Sequence, residues 1–287
     1  MKIANEWLDY ELLLTKDGMK KEKWGEYTLV RPDPQIIWSN DLSFGKYDAI
    51  YHRSNKGGGH WEYKTKLKDN WQIKYKELTF NIKPMSFKHT GIFPEQAVNW
   101  DYMIDKIKNS KRNIKVLNLF AYTGGATVAC LYAGASVCHV DSSKGMVNWA
   151  KENVNSSNLS DKNVRYIVDD VIKFVEREIR RGNKYDAIIM DPPSYGRGAN
   201  GEVWDIEKDL FNLVKLCNTL LSDDPLFFLI NSYTTGLSSK VLETILNMCI
   251  SKKGLITSGE VGLKEKNSDV VLPCGIYGRW EKDENTL

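Results

Sequence analysis

The 287-residue sequence predicts an α/β fold, in which a mostly parallel sheet covered by helices on both faces follows a small β-rich domain. Three observations lead there. From about residue 115 onward, apolar runs of strand length alternate with segments of helical periodicity. Before residue 90 the chain is broken by turn signals at Asp17-Gly18, Arg31-Pro32-Asp33-Pro34 and Gly57-Gly58-Gly59, between short aromatic and β-branched runs. Hydrophobic residues make up 42% of the chain against 27% charged, which supports a sizeable core and excludes disorder as the main reading.

Taken in order, residues 1–90 form the front domain. Its clearest element is a hairpin in which Trp61, Tyr63, Thr65 and Leu67 alternate with Glu62, Lys64, Lys66 and Lys68. After Asp69-Asn70 the alternation returns over 71–76, giving one aromatic and one lysine-rich face. Such a hairpin ordinarily packs one face and solvates the other. The alternative is an RNA surface, with lysines on phosphates and aromatics on bases. Residues 91–287 form the second domain. It opens with a helix over 97–110 and continues with strands at 115–120, 136–141, 164–168, 185–190, 226–230 and 255–261. Helices fall between them at 124–134, 143–155, 170–181, 205–221 and 238–251. The ending, 270–280, can supply one more strand, parallel or antiparallel.

The formal charge of +3 is too small to establish a nucleic-acid partner, although residues 1–90 hold 16 Lys+Arg against 12 Asp+Glu. Five widely spaced cysteines, Cys130, Cys138, Cys217, Cys249 and Cys274, read as reduced core thiols. The N-terminus has no long apolar core, and no run reaches the roughly 18 residues of a membrane span. A cytosolic location is expected.

Ligands of open α/β sheets bind outside the carboxyl ends of the strands. The first strand runs into Phe120-Ala121-Tyr122-Thr123-Gly124-Gly125, where small residues expose a helix N-terminus, although a ligand-free turn would use the same residues. Asp141 ends the second strand, 23 residues after Asn118, at the spacing of a ribose-binding acid. Capping the next helix is its alternative role. With no G-x-G-x-x-G pyrophosphate loop, a nucleoside cofactor without phosphates is favoured. At the third strand end, Asp170 and Val171 suit the amine and ring of adenine, or Asp170 is simply an N-cap. The fourth strand ends in Asp191-Pro192-Pro193-Ser194-Tyr195, where the prolines stop sheet pairing and hold the acid rigidly. Fixed acceptors beside a stacking surface suit chemistry on a flat nucleobase, and Tyr195 is the nearest such surface.

These motifs resemble the class I S-adenosylmethionine-dependent methyltransferases, and among them the bacterial large-subunit (23S) rRNA methyltransferase family. Asn118-Leu119-Phe120-Ala121-Tyr122-Thr123-Gly124-Gly125 is similar to its D-L-F-x-Y-T-G-G motif, and Lys88–Gln96 to the K-x-G-x-F-x-D-Q segment before the cofactor domain. The resemblance implies a Rossmann-like sheet and S-adenosylmethionine as cofactor. It would be held by Asn118, Phe120, Ala121, Tyr122, Thr123 and Gly124 at the methionine part and by Asp141 and Ser142 at the ribose. Asp170 and Val171 fall at the adenine, Asp191 is also among the cofactor-binding residues, and Phe93, Pro94 and Gln96 close the site. Asp191, Pro192, Pro193 and Tyr195 are the implied catalytic residues, with a base of ribosomal RNA as substrate. In-line methyl transfer requires no metal, and the four histidines form no ligand cluster.

The sequence departs from the pattern in two places. Asn231-Ser232-Tyr233-Thr234 stands where relatives that methylate cytosine C5 carry a nucleophilic cysteine, so transfer to a ring or exocyclic nitrogen is favoured. Asn118 replaces the usual acid. The same scaffold also serves protein and small-molecule methyltransferases. A non-catalytic RNA-binding relative is a reading of another class, and the missing G-x-G-x-x-G disfavours a nicotinamide oxidoreductase.

Overall fold

The computed structural model describes residues 1–55, 57–198 and 200–283. The chain divides into two compact units, Met1–Val98 with Val261–Cys274, and Asn99–Glu260 with the residues from Gly275 onward. The sequence reading divides it once, after residue 90. A discontinuous unit arises because two late strands each supply residues to both units. Among the described residues no helix is long and apolar enough to cross a membrane.

The first unit contains β1 (Lys2–Ile3), β2 (Tyr10–Lys16), β3 (Met19–Trp24), β4 (Tyr27–Pro32), β5 (Ala49–Arg53), β6 (Gly59–Tyr63), β7 (Trp71–Tyr75) and β8 (Leu78–Ile82). Strands β2 to β6 make one sheet in chain order, antiparallel except for the parallel β4–β5 step. Asp17 and Gly18 join β2 to β3 with φ of 51° and 75°, a left-handed pair whose twist matches the strands it connects. Inside the unit, the fully buried Glu22 carboxylate accepts from Arg31 Nε (2.6 Å), Arg31 Nη2 (2.7 Å) and the Tyr10 hydroxyl (2.8 Å). Burial alone would raise its pKa, but Arg31 and Lys20 prevail and hold it down at about 2. Arg31 Nη1 also donates to the Lys88 carbonyl (3.0 Å), and Trp7 Nε1 to that of Pro94 (2.9 Å). The segment that contains Phe93, Pro94 and Gln96 is thus tied into this core.

The predicted hairpin between 61–68 and 71–76 does not form. Strand β6 pairs with β5, and β7 pairs with β8 in a separate ribbon. Lys64 and Thr65 instead donate their backbone N–H groups to the Asp48 carbonyl, which ends β6. Alternation correctly gives the buried face of β7, Trp71, Ile73 and Tyr75, but it carries no information about the pairing partner. The lysines consequently share no single face, and Lys64 and Lys76 are ion-paired to Glu62 and Glu6.

A late segment completes this unit. Thr15 donates its N–H and hydroxyl to Glu265 Oε1 (2.6 and 2.5 Å), Lys266 N–H donates to the Leu12 carbonyl (2.9 Å), and Lys2 and Ile3 pair in parallel with Val261 and Gly262.

The remaining elements are α1 (Ala97–Asn109), β9 (Lys115–Leu119), α2 (Gly125–Tyr132), β10 (Ser136–Asp141), α3 (Lys144–Ser156), β11 (Val164–Val168), α4 (Val171–Arg180) and β12 (Ala187–Met190). They are followed by β13 (Tyr195–Arg197), β14 (Val203–Asp205), α5 (Ile206–Asn218), β15 (Phe227–Ser232), α6 (Ser239–Cys249), β16 (Leu255–Lys264) and β17 (Val271–Glu281). The sheet of the second unit runs β11-β10-β9-β12-β15 in parallel, then antiparallel β17, with β16 beyond it. On one face, alternate residues Leu117, Leu119, Ile188, Met190, Phe228 and Ile230 pack with Phe174, Leu213, Val214, Leu242 and Leu246 from α4, α5 and α6. From β9 the chain moves outward to β11 and returns to β12 on the other side. The β9/β12 junction is therefore the switch point at which such sheets open a crevice.

Candidate active site

The ends of β9, β10, β11 and β12 carry the expected residues along one edge of the sheet. After β9, Phe120 (φ 54°), Tyr122 (φ 51°) and Gly124 (φ 82°) all adopt left-handed backbone, and the two aromatics do so at a cost of about 1–2 kcal/mol each. The Ala121 N–H donates to the Val140 carbonyl (3.0 Å), and Asn153 Nδ2 donates to that of Thr123 (2.8 Å). Such anchors hold the strained turn. The positive φ of Phe120 and Tyr122 has no signal in the sequence, since bulky residues rarely adopt it.

Asp141 ties that turn to the end of β10. Its Oδ2 accepts from Tyr122 N–H (2.8 Å) and its Oδ1 from Ser143 N–H (2.9 Å). It is not the helix cap of α3; Ser143 is, accepting from Met146 N–H (3.4 Å). Burial pushes the Asp141 carboxyl above its ordinary range despite the two donors. A carboxylate offers about four lone-pair sites, so Asp141 retains acceptor capacity for hydroxyl groups. Ser142 beside it is exposed.

Asn118 is buried, with Nδ2 donating to Thr127 Oγ1 (3.0 Å) on α2, and Thr127 in turn contacts His139 Nδ1 (2.8 Å). Burial holds His139 neutral, with its pKa down at about 3. A neutral amide suits this position because Thr127 must give its single proton to one neighbour and accept from the other. Asp170 caps α4, its Oδ1 accepting from Lys173 N–H (3.0 Å), so the plainer of its two expected roles is present. Val171 is buried, and the exposed apolar surface at this strand end is instead Val168, 49% exposed.

After β12, Asp191 Oδ1 accepts from Asn231 Nδ2 (3.2 Å), and its N–H donates to the Leu119 carbonyl (3.4 Å) across the switch point. The short β13–β14 hairpin, unforeseen in the sequence, fixes the following loop: Trp204 Nε1 donates to the Pro193 carbonyl (2.7 Å), and Ser194 Oγ lies 2.8 Å from Thr234 Oγ1. Trp204 also packs on Phe120, with ring centroids 4.9 Å apart. Pro192 is buried, Pro193 exposed, and Tyr195 is 54% exposed, with its hydroxyl accepting from Arg197 Nε (3.2 Å). Phe93, Pro94 and Gln96 belong to the first unit, where Pro94–Gln96 form a single 3₁₀ turn. A separate cleft of about 540 Å³ in that unit is lined by Thr28, Lys46, Tyr47, Asp48, Lys64 and Thr65, and includes none of the predicted site residues.

The order of the strands and the residues at their ends define the class of Rossmann-like methyltransferases. Residues 3–248 match the family model described as S-adenosylmethionine-dependent methyltransferase. The crystal structure of the S-adenosylmethionine-dependent methyltransferase from Agrobacterium tumefaciens superposes with a TM-score of 0.92 at 34% identity, covering 96% of this chain and 91% of that one. Ribosomal RNA large subunit methyltransferase K/L of Syntrophotalea carbinolica is 27% identical over 183 residues, 63% of this chain and 25% of the relative. Its namesake from Shewanella frigidimarina is 34% identical over 143 residues, 48% of this chain and 19% of the relative. The chain thus spans a quarter or less of the length of these curated relatives. It belongs to the S-adenosylmethionine-dependent methyltransferase family, and S-adenosylmethionine is its cofactor.

Proposed function

We propose that this enzyme methylates a nitrogen of a base in structured RNA, with ribosomal RNA as the substrate, and does so without a cysteine nucleophile. The observation that carries this reading is the Asp191 carboxylate, held by Asn231 at the switch point, with half-exposed Tyr195 four residues on. The crevice suits the cofactor: Asp141 has acceptor capacity for the ribose, exposed Val168 and Asp170 suit the adenine, and the Phe120–Gly124 turn suits the methionine part. Bound S-adenosylmethionine supplies a methyl group activated by its sulfonium. Tyr195 stacks on the extruded base, Pro192 and Pro193 keep the loop from yielding, and Asp191 orients the acceptor N–H and receives the proton that the nitrogen gives up.

The cysteines support the non-covalent route. Cys130, Cys138 and Cys217 are buried, and burial pushes the Cys138 thiol up to about 11 and those of Cys130 and Cys217 higher still, so none supplies a thiolate at neutral pH. All five are free thiols, in accord with a cytosolic location. The first unit is assigned an RNA contact through exposed Lys66 and Lys74, and charge reversal there should weaken RNA retention and flatten its salt dependence. The names of the K/L relatives favour ribosomal RNA over other acceptors.

The decisive experiment incubates the protein with tritiated S-adenosylmethionine and unmodified ribosomal RNA transcripts, then digests the RNA to nucleosides. Label in an N-methylated nucleoside is expected. Asp191→Ala should reduce it by roughly 100-fold or more while S-adenosylhomocysteine still binds. Label confined to protein or small-molecule acceptors would overturn the RNA reading.

A further inference from the structure

We infer that Asn231, Asn99 and Arg279 form a directional relay that positions the Asp191 carboxylate, an inference that rests on the acceptor role proposed for Asp191. The three come from three elements: the end of β15, the first turns of α1, and β17. All are buried, at 1%, 0% and 5% exposure respectively. Arg279 Nη2 donates to Asn99 Oδ1 (2.5 Å), Asn99 Nδ2 to Asn231 Oδ1 (3.5 Å), and Asn231 Nδ2 to Asp191 Oδ1 (3.2 Å).

The two ends of this chain dictate its direction. A guanidinium has no acceptor, so Asn99 must present its oxygen to Arg279; an ionised carboxylate has no donor, so Asn231 must present its nitrogen to Asp191. The central bond then has one possible polarity. A cation at one end and an anion at the other therefore set the orientation of both amides, and the amides in turn hold Asp191 Oδ1.

The setting of Arg279 argues against a merely structural role. Its guanidinium carbon lies 4.1 Å from the centroid of Tyr102 and 4.4 Å from that of Tyr277, and Tyr102 donates to Glu281 Oε2 (2.9 Å). Ring faces offset part of the desolvation of a buried cation, but an apolar side chain would fill the space between two tyrosines at lower cost. The Glu281 carboxylate offsets part of the remaining cost, and the relay gives the cation a further role, that of fixing the Asn99 amide.

The test compares Arg279→Gln, Arg279→Lys and Asn99→Ala with the wild type. Its readouts are thermal stability, S-adenosylhomocysteine affinity, kcat and KM for unmodified ribosomal RNA, and the side-chain amide resonance of Asn231 in the S-adenosylhomocysteine complex. That resonance is assigned by its loss in Asn231→Ser. Arg279→Gln and Asn99→Ala should lower kcat roughly 10- to 100-fold with KM and S-adenosylhomocysteine affinity within about threefold, as expected when a reacting geometry loosens. Arg279→Lys, which keeps the charge, should restore part of the loss. Arg279→Gln should also shift the Asn231 resonance, one amide away. A folded Arg279→Gln with unchanged kcat and an unmoved resonance would overturn the relay, as would a fall in S-adenosylhomocysteine affinity equal to the fall in kcat. If wild type labels no RNA, the substrate reading fails, while the Asn231 resonance still decides the relay.

Discussion

Gly124 and Gly134 bracket α2, and both adopt left-handed backbone, with φ of 82° and 96°. Replacing each by alanine separates two costs. A Cβ on Gly134 meets nothing within 4 Å, so Gly134→Ala incurs only the left-handed penalty of about 1–2 kcal/mol. A Cβ on Gly124 would lie 2.8 Å from Ala150 Cβ, 3.4 Å from Ala150 Cα and 3.5 Å from His139 Cε1, all firmly packed atoms. Helix α3 would have to move, and such overpacking adds about 1–3 kcal/mol. Gly124→Ala should therefore cost about 2–5 kcal/mol in urea unfolding. It should also weaken S-adenosylhomocysteine binding by roughly tenfold or more, since a displaced turn no longer fits its ligand. Gly134→Ala should bind as wild type. Equal destabilisation by the two changes, or undiminished affinity in Gly124→Ala, would refute the packing argument.

Further outcomes follow from other residues. Glu22, whose pKa falls from its usual 4.5 to about 2 beside Arg31, contributes stability that is complete above pH 4.5 and is lost as the pH falls toward 2. Its share is at most about 3 kcal/mol, and Glu22→Gln should flatten the urea midpoint over that acid range. Asn118→Asp replaces the donor to Thr127 by an acceptor, forces the Thr127 proton away from His139, and should destabilise by about 1–3 kcal/mol in thermal melts. RNA containing 5-fluorocytidine should form no denaturant-stable adduct with the protein; a shifted band on a denaturing gel would refute the non-covalent route.

Apart from the β13–β14 hairpin, the strands and helices from β9 to β17 were legible because the central parallel strands read as apolar runs, and because Asp, Ser and Gly mark the intervening helix ends. Pairing in the first unit was not legible. Trp61–Tyr63 and Trp71–Tyr75 show their faces, but their partners are chosen by long-range contacts such as that of Asp48 with Lys64 and Thr65. At the site, Asp141 and Asp191 stood out through their strand-end positions. Asn99, Asn231 and Arg279 did not, because buried amides and a buried arginine have meaning only through neighbours as many as 180 residues distant. Even within the recognised motif, the left-handed backbone of Phe120 and Tyr122 follows from tertiary anchoring and not from propensity.

Because Val261–Cys274 completes the unit begun by Met1–Val98, that unit cannot finish folding during synthesis of its own stretch. Glu265, which receives both donors of Thr15, emerges long after its partner. At about 5–20 residues per second, the intervening chain takes on the order of 10–50 s to make. Over that interval the nascent front sheet lacks its last segment, while the second unit also awaits β17. Both units therefore close almost together, once the residues of β17 have emerged.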